Sequence, residues 1–329
     1  MSKAAFRVWQ PAPARKWSDN PLGLSFLKYL PGYRQLSDRL RQRYDQFGSD
    51  PFLRFAPPGH FYSPLPDLDF VQRHRTRLFD RSALVVPGIE INTDGQLELI
   101  RKFADYYDQL PFKEEKTGGL RYYFNNPYFS YGDAVVLYSM LRHLRPRRVI
   151  EVGSGFSSAV MLDTNDLFLA KQVAMTFVEP YPERLFSLLS DDDKRRHHIV
   201  TDIVQNVPIE DFSKLEARDI LFIDSSHVAK IGSDVVHLLT YVLPRLKAGV
   251  VVHFHDIFWP FEYPESWVRD GRAWNENYLL RAFLQFNAAF KVLFFNAYLA
   301  THHEESLAKH LPLFGRNSGG SLWIEKTAS

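Results

Sequence analysis

The fold depends on one stretch, Arg148-Val149-Ile150-Glu151-Val152-Gly153-Ser154-Gly155-Phe156-Ser157-Ser158, in which a short apolar run meets a Gly-x-Gly turn and a helical pattern. Glycines at a strand-to-helix turn let the chain bend tightly and let a ligand approach the backbone. The N–H groups that open the following helix add partial positive charge. The stretch predicts a ligand-binding turn, with a turn needed only for packing as the alternative.

The turn differs from a dinucleotide-binding fingerprint in two ways. The third glycine of Gly-x-Gly-x-x-Gly is replaced by Ser158, and Glu151 stands two residues before the first glycine. A carboxylate there repels a pyrophosphate and attracts an ammonium group. The turn therefore favours a ligand with an amino acid end and a nucleoside end but no phosphate.

Beyond residue 147, short apolar runs alternate with stretches of helical spacing. The predicted strands are 149–152, 174–178, 198–203, 220–223, 250–254, 292–298 and 322–324, and the predicted helices are 157–168, 183–189, 234–243 and 275–286. Strands separated by helices indicate a doubly wound, mostly parallel α/β sheet with helices on both faces. No clear long helix separates the last two strands, so one of them is free to run antiparallel.

The first 70 residues differ in composition from the rest and are rich in proline, aromatic residues and arginine. We predict a helix over 33–47, a proline-rich extended loop over 57–66 and an amphipathic helix over 94–110. The resulting division is an N-terminal accessory, substrate-covering segment over residues 1–120 and a catalytic domain over residues 121–329.

Acidic side chains follow the predicted strands. Glu179 ends the second strand and precedes Pro180, Asp202 ends the third, and Asp224 ends the fourth. Ligands of open α/β sheets bind beyond the carboxyl ends of the strands. A carboxylate such as Glu179 can accept both hydroxyls of a ribose, and Asp202 can reach an adenine amino group. Capping or solvated carboxylates are the alternative for each position alone.

The stretch from Val149 to Asp256 resembles the class I S-adenosylmethionine-dependent methyltransferases. It is most similar to a bacterial O-methyltransferase-like group that carries Asp224-Ser225-Ser226-His227 and His253-Phe254-His255-Asp256. The resemblance implies a seven-stranded Rossmann-like methyltransferase sheet and S-adenosylmethionine as the cofactor. It covers residues 121–329, about two thirds of the chain.

The resemblance also implies where the cofactor lies. The residues concerned are Glu151, Gly153, Ser154, Gly155, Phe156, Ser157, Glu179, Pro180, Asp202, Asp224 and Tyr131. Glu151 and Gly153 would lie near the methionine end, Glu179 at the ribose and Asp202 near the adenine. Ser157 replaces a third glycine found in many members of the class. Residues 129–133 would lie against the cofactor, or form a capped helix start.

Catalysis is expected after the fourth strand. Methyl transfer to a hydroxyl requires donor and acceptor in line and a base that takes the proton. His227, three residues past the strand, is the predicted base because an imidazole titrates near neutral pH, and Asp224 would assist it at the acceptor. The alternative is a hydrogen-bonded loop histidine.

A divalent metal is a further expectation. Some related O-methyltransferases hold one with carboxylates after the fourth and fifth strands, and Asp224, His255 and Asp256 match those places. A carboxylate set suits magnesium, whereas an imidazole ligand shifts the preference towards manganese or iron. The alternative is that His255 and Asp256 shape the pocket through hydrogen bonds.

Composition limits the partners. A formal net charge of +2 and the lack of a basic stripe argue against nucleic acid, and no apolar run is long enough for a membrane span. The chain has no cysteine, and no signal peptide is recognisable, so we expect a cytoplasmic protein with a small-molecule substrate and a possible homo-oligomeric state. The aromatic run 258–267 would wall a pocket or pack as core.

Three functions follow from these observations. The first is O-methylation of a sugar, polyketide or phenolic acceptor, with N-methylation less favoured. The second is a metal-dependent oxidoreductase on the same scaffold, using His227, His255 and Asp256 as a two-histidine, one-carboxylate set. The third is a non-catalytic module that keeps the cofactor site.

Overall fold

A computed structural model describes residues 51–327 of the chain. The chain divides into two compact units, Met1–Asp67 and Leu68–Ser329. The predicted helix over 33–47 lies outside the described residues. Within the first unit, residues 57–66 form a loop closed by turns, with the Gly59 N–H donating to the Leu65 carbonyl at 3.3 Å, and not the extended segment that the prolines predict.

Seven strands form one sheet in the second unit. They are β1 Arg148–Val152, β2 Ala174–Val178, β3 His198–Val200, β4 Ile220–Ile223, β5 Val251–Phe254, β6 Phe290–Phe295 and β7 Leu322–Lys326. Their order is β3-β2-β1-β4-β5-β7-β6, in which β7 runs antiparallel to both of its neighbours and the other pairs are parallel. The predicted seven-stranded, mostly parallel sheet is confirmed, including the antiparallel strand.

The direction of strand addition reverses at β1. The chain adds β2 and β3 on one side of β1, then returns to add β4 and β5 on the other. Because crossovers between parallel strands are right-handed, the helices of the two halves lie on opposite faces of the sheet. The crevice at the carboxyl ends of β1 and β4 is therefore the place where such a fold binds ligands.

Fourteen α-helices occur in the described part of the chain. They are α1 Pro51–Phe55, α2 Leu68–Arg73, α3 Arg75–Leu78, α4 Thr93–Tyr107, α5 Tyr131–Leu144, α6 Phe156–Phe168, α7 Glu183–Leu188, α8 Asp191–Arg196, α9 Ile209–Ser213, α10 Asp234–His237, α11 Glu265–Arg269, α12 Glu276–Leu284, α13 Asn296–His302 and α14 Glu304–His310. Leu238–Val242 continues α10 as a π-helix. No helix among residues 51–327 is long and apolar enough to cross a membrane.

Helix α4 belongs to the same unit as the sheet. The Phe103 ring packs on the Phe294 ring of β6 with centroids 5.5 Å apart, and the Asn92 side chain donates to the Val292 carbonyl at 2.8 Å. Residues 68–120 are thus built into the sheet-containing unit, whereas the sequence places the division between residues 120 and 121. The covering role of residues 1–120 stays a prediction.

The last part of the sheet differs from the sequence-based expectation. The strand predicted over 292–298 ends at Phe295, and α13 begins at Asn296. α13 and α14, which lie between β6 and β7, are missing from the sequence-based assignment. Phe295, Ala297, Tyr298 and Leu299 are all buried, and a continuous apolar run does not distinguish a buried strand from a buried helix.

Asp219 fastens the amino ends of β1 and β4. Its Oδ1 accepts hydrogen bonds from the N–H groups of Arg147 and Arg148, both at 2.9 Å, and its Oδ2 accepts one from the Glu216 N–H at 3.0 Å. Asp219 is 2% exposed, so these three donors have little access to water. Its carboxylate sets the alignment of the two strands whose other ends carry the site.

We expect Asp219→Ala to lower the free energy of unfolding by about 1–3 kcal/mol, because it leaves three partly buried N–H groups without their acceptor. The measurement is urea unfolding followed by circular dichroism. Glu216→Ala, which removes an exposed carboxylate nearby, is the control and should change stability by less than about 0.5 kcal/mol. Equal effects of the two substitutions would contradict this role of Asp219.

Candidate active site

The carboxyl ends of five strands bring the predicted site residues to one edge of the sheet. Gly153 follows β1, Glu179 follows β2 and Asp224 follows β4, each directly. His255 and Asp256 follow β5, and Asp202 lies two residues beyond β3. Because these strands are parallel, the residues meet at the same edge, as the sequence predicts.

The glycine turn follows from a close approach of β1 and β4. Gly153 has a φ of +80°, and a Cβ built on it would lie 1.9 Å from the backbone oxygen of Asp224. Only glycine fits this position without moving the backbone after β4. The Asp224 N–H donates to the Val152 carbonyl at 2.8 Å, which keeps the two strand ends together.

Glu151 lies beneath the turn and not in an open cleft. It is fully buried; the Ser157 hydroxyl donates to its Oε1 at 2.5 Å and the Ser158 hydroxyl donates to its Oε2. Burial raises the pKa of Glu151 to about 8, against the opposing effect of the serine hydrogen bonds, so the carboxyl group is mostly protonated at neutral pH. The geometry gives Glu151 and Ser157 a role in holding the turn; the predicted contact with an ammonium group stays a prediction.

Glu179 connects the ends of β1 and β2. Its Oε2 accepts from the Ser154 N–H at 2.9 Å and its Oε1 accepts from the Tyr181 N–H at 2.8 Å. The side chain is half-buried, and each carboxylate oxygen retains a lone pair for another donor. Pro180, between these contacts, is exposed. Glu179 therefore offers free acceptor capacity beside the glycine turn.

Asp202 is exposed and has local partners. Its Oδ1 accepts from the Ile203 N–H at 2.7 Å, and both carboxylate oxygens lie 3.0 Å from the Asn206 side-chain amide. These contacts close the short turn Val204–Asn206, so a capping role accounts for the residue. Its role at an adenine stays a prediction.

The aromatic residues assigned to the cofactor lie in two places. Phe156, at the start of α6, contacts the rings of Tyr123 and Tyr128 at 5.5 Å and 6.3 Å between centroids. Tyr131 stacks on Phe124 at 5.1 Å, and its hydroxyl donates to the Glu114 carboxylate at 2.5 Å. Phe156 thus flanks the glycine turn, whereas Tyr131 is engaged with the segment that precedes α5.

His227 lies among three carboxylates. Its Nδ1 is 2.9 Å from Glu276 Oε2, and its Nε2 is 3.4 Å from Asp224 Oδ1 and 3.7 Å from Asp256 Oδ2. The N–H groups of Asn275 and Glu276, at the start of α12, donate to its carbonyl. His227 has a φ of +60°, an uncommon conformation for a non-glycine residue, so these contacts hold a strained backbone.

The carboxylates make His227 a cation. Burial lowers its pKa, but hydrogen bonds and charges of Asp224 and Glu276 outweigh that effect and raise the pKa to about 10. A pKa this far above the usual imidazole value favours the protonated form of His227 at neutral pH, and its role as the base stays a prediction. Burial also acts on Asp224, but the charges of His255 and His227 prevail and lower its pKa.

His255 and Asp256 stand in the wall of a cavity of about 530 Å³. His255 Nε2 is 3.6 Å from Asp256 Oδ1, and among the described residues nothing hydrogen-bonds its buried Nδ1. Burial raises the pKa of Asp256, and this residue too has a positive φ, +57°. His253 lies on the same face as His255, as alternation predicts, with ring centroids 5.8 Å apart.

Other parts of the chain complete this cavity. Phe258 and Trp267, from the predicted aromatic wall, line it together with the segment 317–320 and Asp133. Asp133 is buried and accepts from the Ser321 hydroxyl at 2.6 Å and the Gly320 N–H at 3.1 Å; burial raises its pKa to about 6. The cavity thus has an aromatic side and an acidic side.

The residues of the predicted metal sets are not gathered into a metal-binding group in the described part of the chain. Among residues 51–327, no group of three or more histidine and acidic side chains is placed to hold a metal ion. The nitrogens of His227 face carboxylates at both ends, and a protonated imidazole has no lone pair for a metal. The metal at Asp224, His255 and Asp256, and the set of His227, His255 and Asp256, stay predictions.

Sequence reasoning missed Glu276, and it included Asp133 only as part of residues 129–133, placed against the cofactor or at a capped helix start. Glu276 is 1% exposed, and the Ser225 hydroxyl lies 3.0 Å from both of its carboxylate oxygens. Its sequence signal is a carboxylate at a helix start, which is common on surfaces. Asp133 gives the same signal at α5. Without knowledge of the fold, neither residue can be distinguished from a carboxylate that only caps a helix.

Comparison with known protein families identifies the central part of the chain. A family described as a methyltransferase domain matches residues 150–257, from β1 to the residues after β5. The resemblance to methyltransferases that the sequence indicates is confirmed. The chain carries a methyltransferase domain.

One curated relative is an uncharacterized protein of Archaeoglobus fulgidus. It is 36% identical over 132 residues, which are 39% of this chain and 60% of the relative. The chain thus matches less than two thirds of the relative's length.

The similar solved structures include CmcI and the O-methyltransferase TomG. The apo-structure of CmcI is 16% identical, covers 68% of this chain and 84% of its own and has a TM-score of 0.40. The O-methyltransferase TomG from Streptomyces achromogenes, in complex with S-adenosylmethionine, is 13% identical, covers 79% and 96% and has a TM-score of 0.38. Because both TM-scores are below 0.5, the assignment of the fold rests on the strand order and not on these two structures.

The raised pKa of Glu151 predicts a pH-dependent stability. Its pKa lies near 4.5 in an unfolded chain and near 8 in the fold, so the folded state binds an extra proton between these values and loses stability as pH rises through them. We expect Glu151→Gln to remove up to ~1.4 kcal/mol per pH unit of this loss. Urea unfolding at pH 5 and pH 8 measures it.

Glu183→Gln is the control, because Glu183 is an exposed carboxylate on α7. Its pH dependence should match that of the unsubstituted protein. A Glu151→Gln variant with the unsubstituted pH dependence would show that the carboxyl group is charged in the fold.

Proposed function

We propose that the chain is an S-adenosylmethionine-dependent methyltransferase that transfers a methyl group to an oxygen of a small molecule. The observation that carries the proposal is the position of Glu179 and the glycine turn at the same sheet edge as the cavity lined by Asp256 and His255. A cofactor on the turn and an acceptor in the cavity would meet beyond β1, β4 and β5.

The cofactor half of the site rests on backbone and one carboxylate. The turn Gly153-Ser154-Gly155 allows a ligand close to the backbone, and Glu179 has acceptor capacity for ribose hydroxyls. Phe156 flanks the turn, and Pro180 and Asp202 complete the expected rim. Glu151 contributes indirectly, because it accepts hydrogen bonds from the hydroxyls of Ser157 and Ser158 in the first turn of α6.

The acceptor half rests on His255 and Asp256. His255 Nδ1 is a buried nitrogen without a partner among the described residues, and it can hydrogen-bond an acceptor hydroxyl. Asp256 accepts the proton from that hydroxyl, because burial raises its pKa and makes its carboxylate a stronger base. This assignment replaces His227 as the base.

His227 then acts through its charge. The Nε2 of its imidazolium lies 3.7 Å from Asp256 Oδ2, and its Nδ1 is fixed by Glu276 Oε2 at 2.9 Å. The positive charge of His227 keeps Asp256 ionised until Asp256 takes the proton of the acceptor hydroxyl. The carboxylate of Asp224, which follows β4, partly neutralises the charge of His227.

The cofactor supplies an electrophilic methyl group on a sulfonium. With the cofactor bound and an acceptor hydroxyl in the cavity, Asp256 would take the proton that the hydroxyl gives up on methylation. The task of the chain is to align the cofactor with the acceptor and to hold the Asp256 carboxylate in place. The fixed side chains along the carboxyl edge of the sheet suit this task.

We expect isothermal titration to show S-adenosylmethionine binding that weakens about tenfold or more in Glu179→Ala, because a charge-assisted hydrogen bond to the ribose is lost. Glu183→Ala, an exposed carboxylate on α7, is the matched control and should bind as the unsubstituted chain does. Unchanged affinity in Glu179→Ala would remove Glu179 from the cofactor site. No binding to the unsubstituted chain would refute the proposed function.

We expect Asp256→Asn to lower the rate of methyl transfer by about a hundredfold or more, because the proton acceptor is lost. The measurement is transfer of labelled methyl from S-adenosylmethionine to a panel of hydroxylated sugars and phenols. The cofactor affinity of the variant should not change, which separates catalysis from binding. Retained activity in Asp256→Asn, with loss in His227→Gln, would return the base role to His227.

A further inference from the structure

The open side of the cavity carries an arginine. Arg81 lines it and is exposed, and no carboxylate in the described part of the chain forms an ion pair with it. Partial burial lowers the pKa of the Arg81 guanidinium. A guanidinium has five N–H donors and stays charged at any physiological pH, so it presents an unneutralised positive charge to whatever occupies the cavity.

The backbone around Arg81 is fixed on both sides. The Asp80 carboxylate accepts from the Ser82 N–H at 2.9 Å, and the indole N–H of Trp259 donates to the Ala83 carbonyl at 2.9 Å. Trp259 is fully buried just after β5. The loop that carries Arg81 is therefore attached to the same strand end as His255 and Asp256.

The acidic groups of the cavity already have other partners. Asp133 accepts from Ser321 and Gly320, and Asp256 lies within 4 Å of His227 and His255. Neither carboxylate forms an ion pair with Arg81. A positive charge left without a counterion in a concave site is a common means of binding an anionic ligand group.

A hydrogen-bonding group lies at the strand end of the same cavity. His255 Nδ1 is buried without a partner among residues 51–327, and it is suited to a hydroxyl or another neutral polar group. Trp267 and Phe258, with ring centroids 5.0 Å apart, form an apolar side of the same cavity. The cavity thus offers a hydrogen bond, an apolar surface and a positive charge to one ligand.

We propose that Arg81 binds an oxyanion group of the methyl acceptor, so that the substrate is an anionic hydroxylated small molecule carrying a carboxylate or a phosphate. The assignment of this molecule as the acceptor rests on the proposed function. The anion subsite itself does not, because it depends only on the cavity and its charge. A substrate held at Arg81 by its anionic end would direct its hydroxyl towards His255 and Asp256.

The test is calorimetric binding of three ring compounds that differ in charge: benzoate, phenyl phosphate and benzyl alcohol. Each is titrated at low ionic strength, without S-adenosylmethionine, into the unsubstituted chain, Arg81→Gln and Arg77→Gln. Arg77 is an exposed arginine of α3 that does not line the cavity, so its substitution removes the same charge from the chain. Thermal unfolding confirms that each variant is folded.

We expect at least one anion to bind the unsubstituted chain and Arg77→Gln equally, and Arg81→Gln about tenfold or more weakly, because charged hydrogen bonds are lost. Benzyl alcohol should bind all three alike. The preferred anion distinguishes a carboxylate from a phosphate subsite. If Arg81→Gln does not fold, Arg81→Lys serves instead and should keep the charge but lose the paired hydrogen bonds, with weaker anion binding.

The proposal is overturned if Arg81→Gln binds both anions as the unsubstituted chain does. It is also overturned if Arg77→Gln loses as much affinity, or if neither anion binds more tightly than benzyl alcohol. Failure of cofactor binding, measured separately, would refute the methyltransferase proposal and leave the anion subsite standing. Anion binding that fails beside intact cofactor binding would refute only the subsite.

Discussion

The close approach of β1 and β4 is the constraint on which the site depends. A glycine at position 153 lets the backbone after β1 lie directly against the backbone of Asp224, where any side chain would collide. That contact sets the height of the turn relative to the end of β4, and β5 follows in register from β4. Glu179 and Asp256, which belong to strands on opposite sides of this pair, are brought to the same edge by it.

Charge compensation gives the site its electrostatic character. A single imidazolium, His227, serves carboxylates from three different elements, after β4, after β5 and at the start of α12. Removing any member would leave a buried charge without its partner, which is costly in a low-dielectric interior. The arrangement favours one fixed geometry, and it leaves Asp256 beside the cavity with its basicity set by burial.

The sequence predicts the sheet and the positions of the strand-end residues because these are local signals. Apolar runs, the turn at Gly153 and the acidic residues after successive strands can each be recognised without knowing the fold. The environment of each residue cannot be recognised from the sequence in this way. Glu151 lies in a strand buried on both faces, so its protonation depends on packing that the sequence does not display.

Long-range partners account for the other differences. His227 receives its charge from Glu276, which lies 49 positions later and is a common helix-start residue when seen alone. Asp202 differs because its partners are local. Its position after β3 fits a ligand-binding role, but its carboxylate accepts hydrogen bonds from Ile203 and Asn206 in the turn that follows. Arg81 comes from a segment that the sequence assigns to a separate unit, and contacts such as the hydrogen bond from Trp259 to Ala83 show where it lies.

The position of β7 has a consequence for how the site is assembled. β7 is the last strand along the chain but lies between β5 and β6, and the residues just before it, 317–320, form one wall of the cavity. Insertion of this strand into the sheet and closure of the cavity are therefore a single event. During synthesis, the glycine turn emerges from the ribosome well before that wall, so the nascent chain can form the ends of β1, β2 and β4 first and can complete the cavity only once β7 has been made.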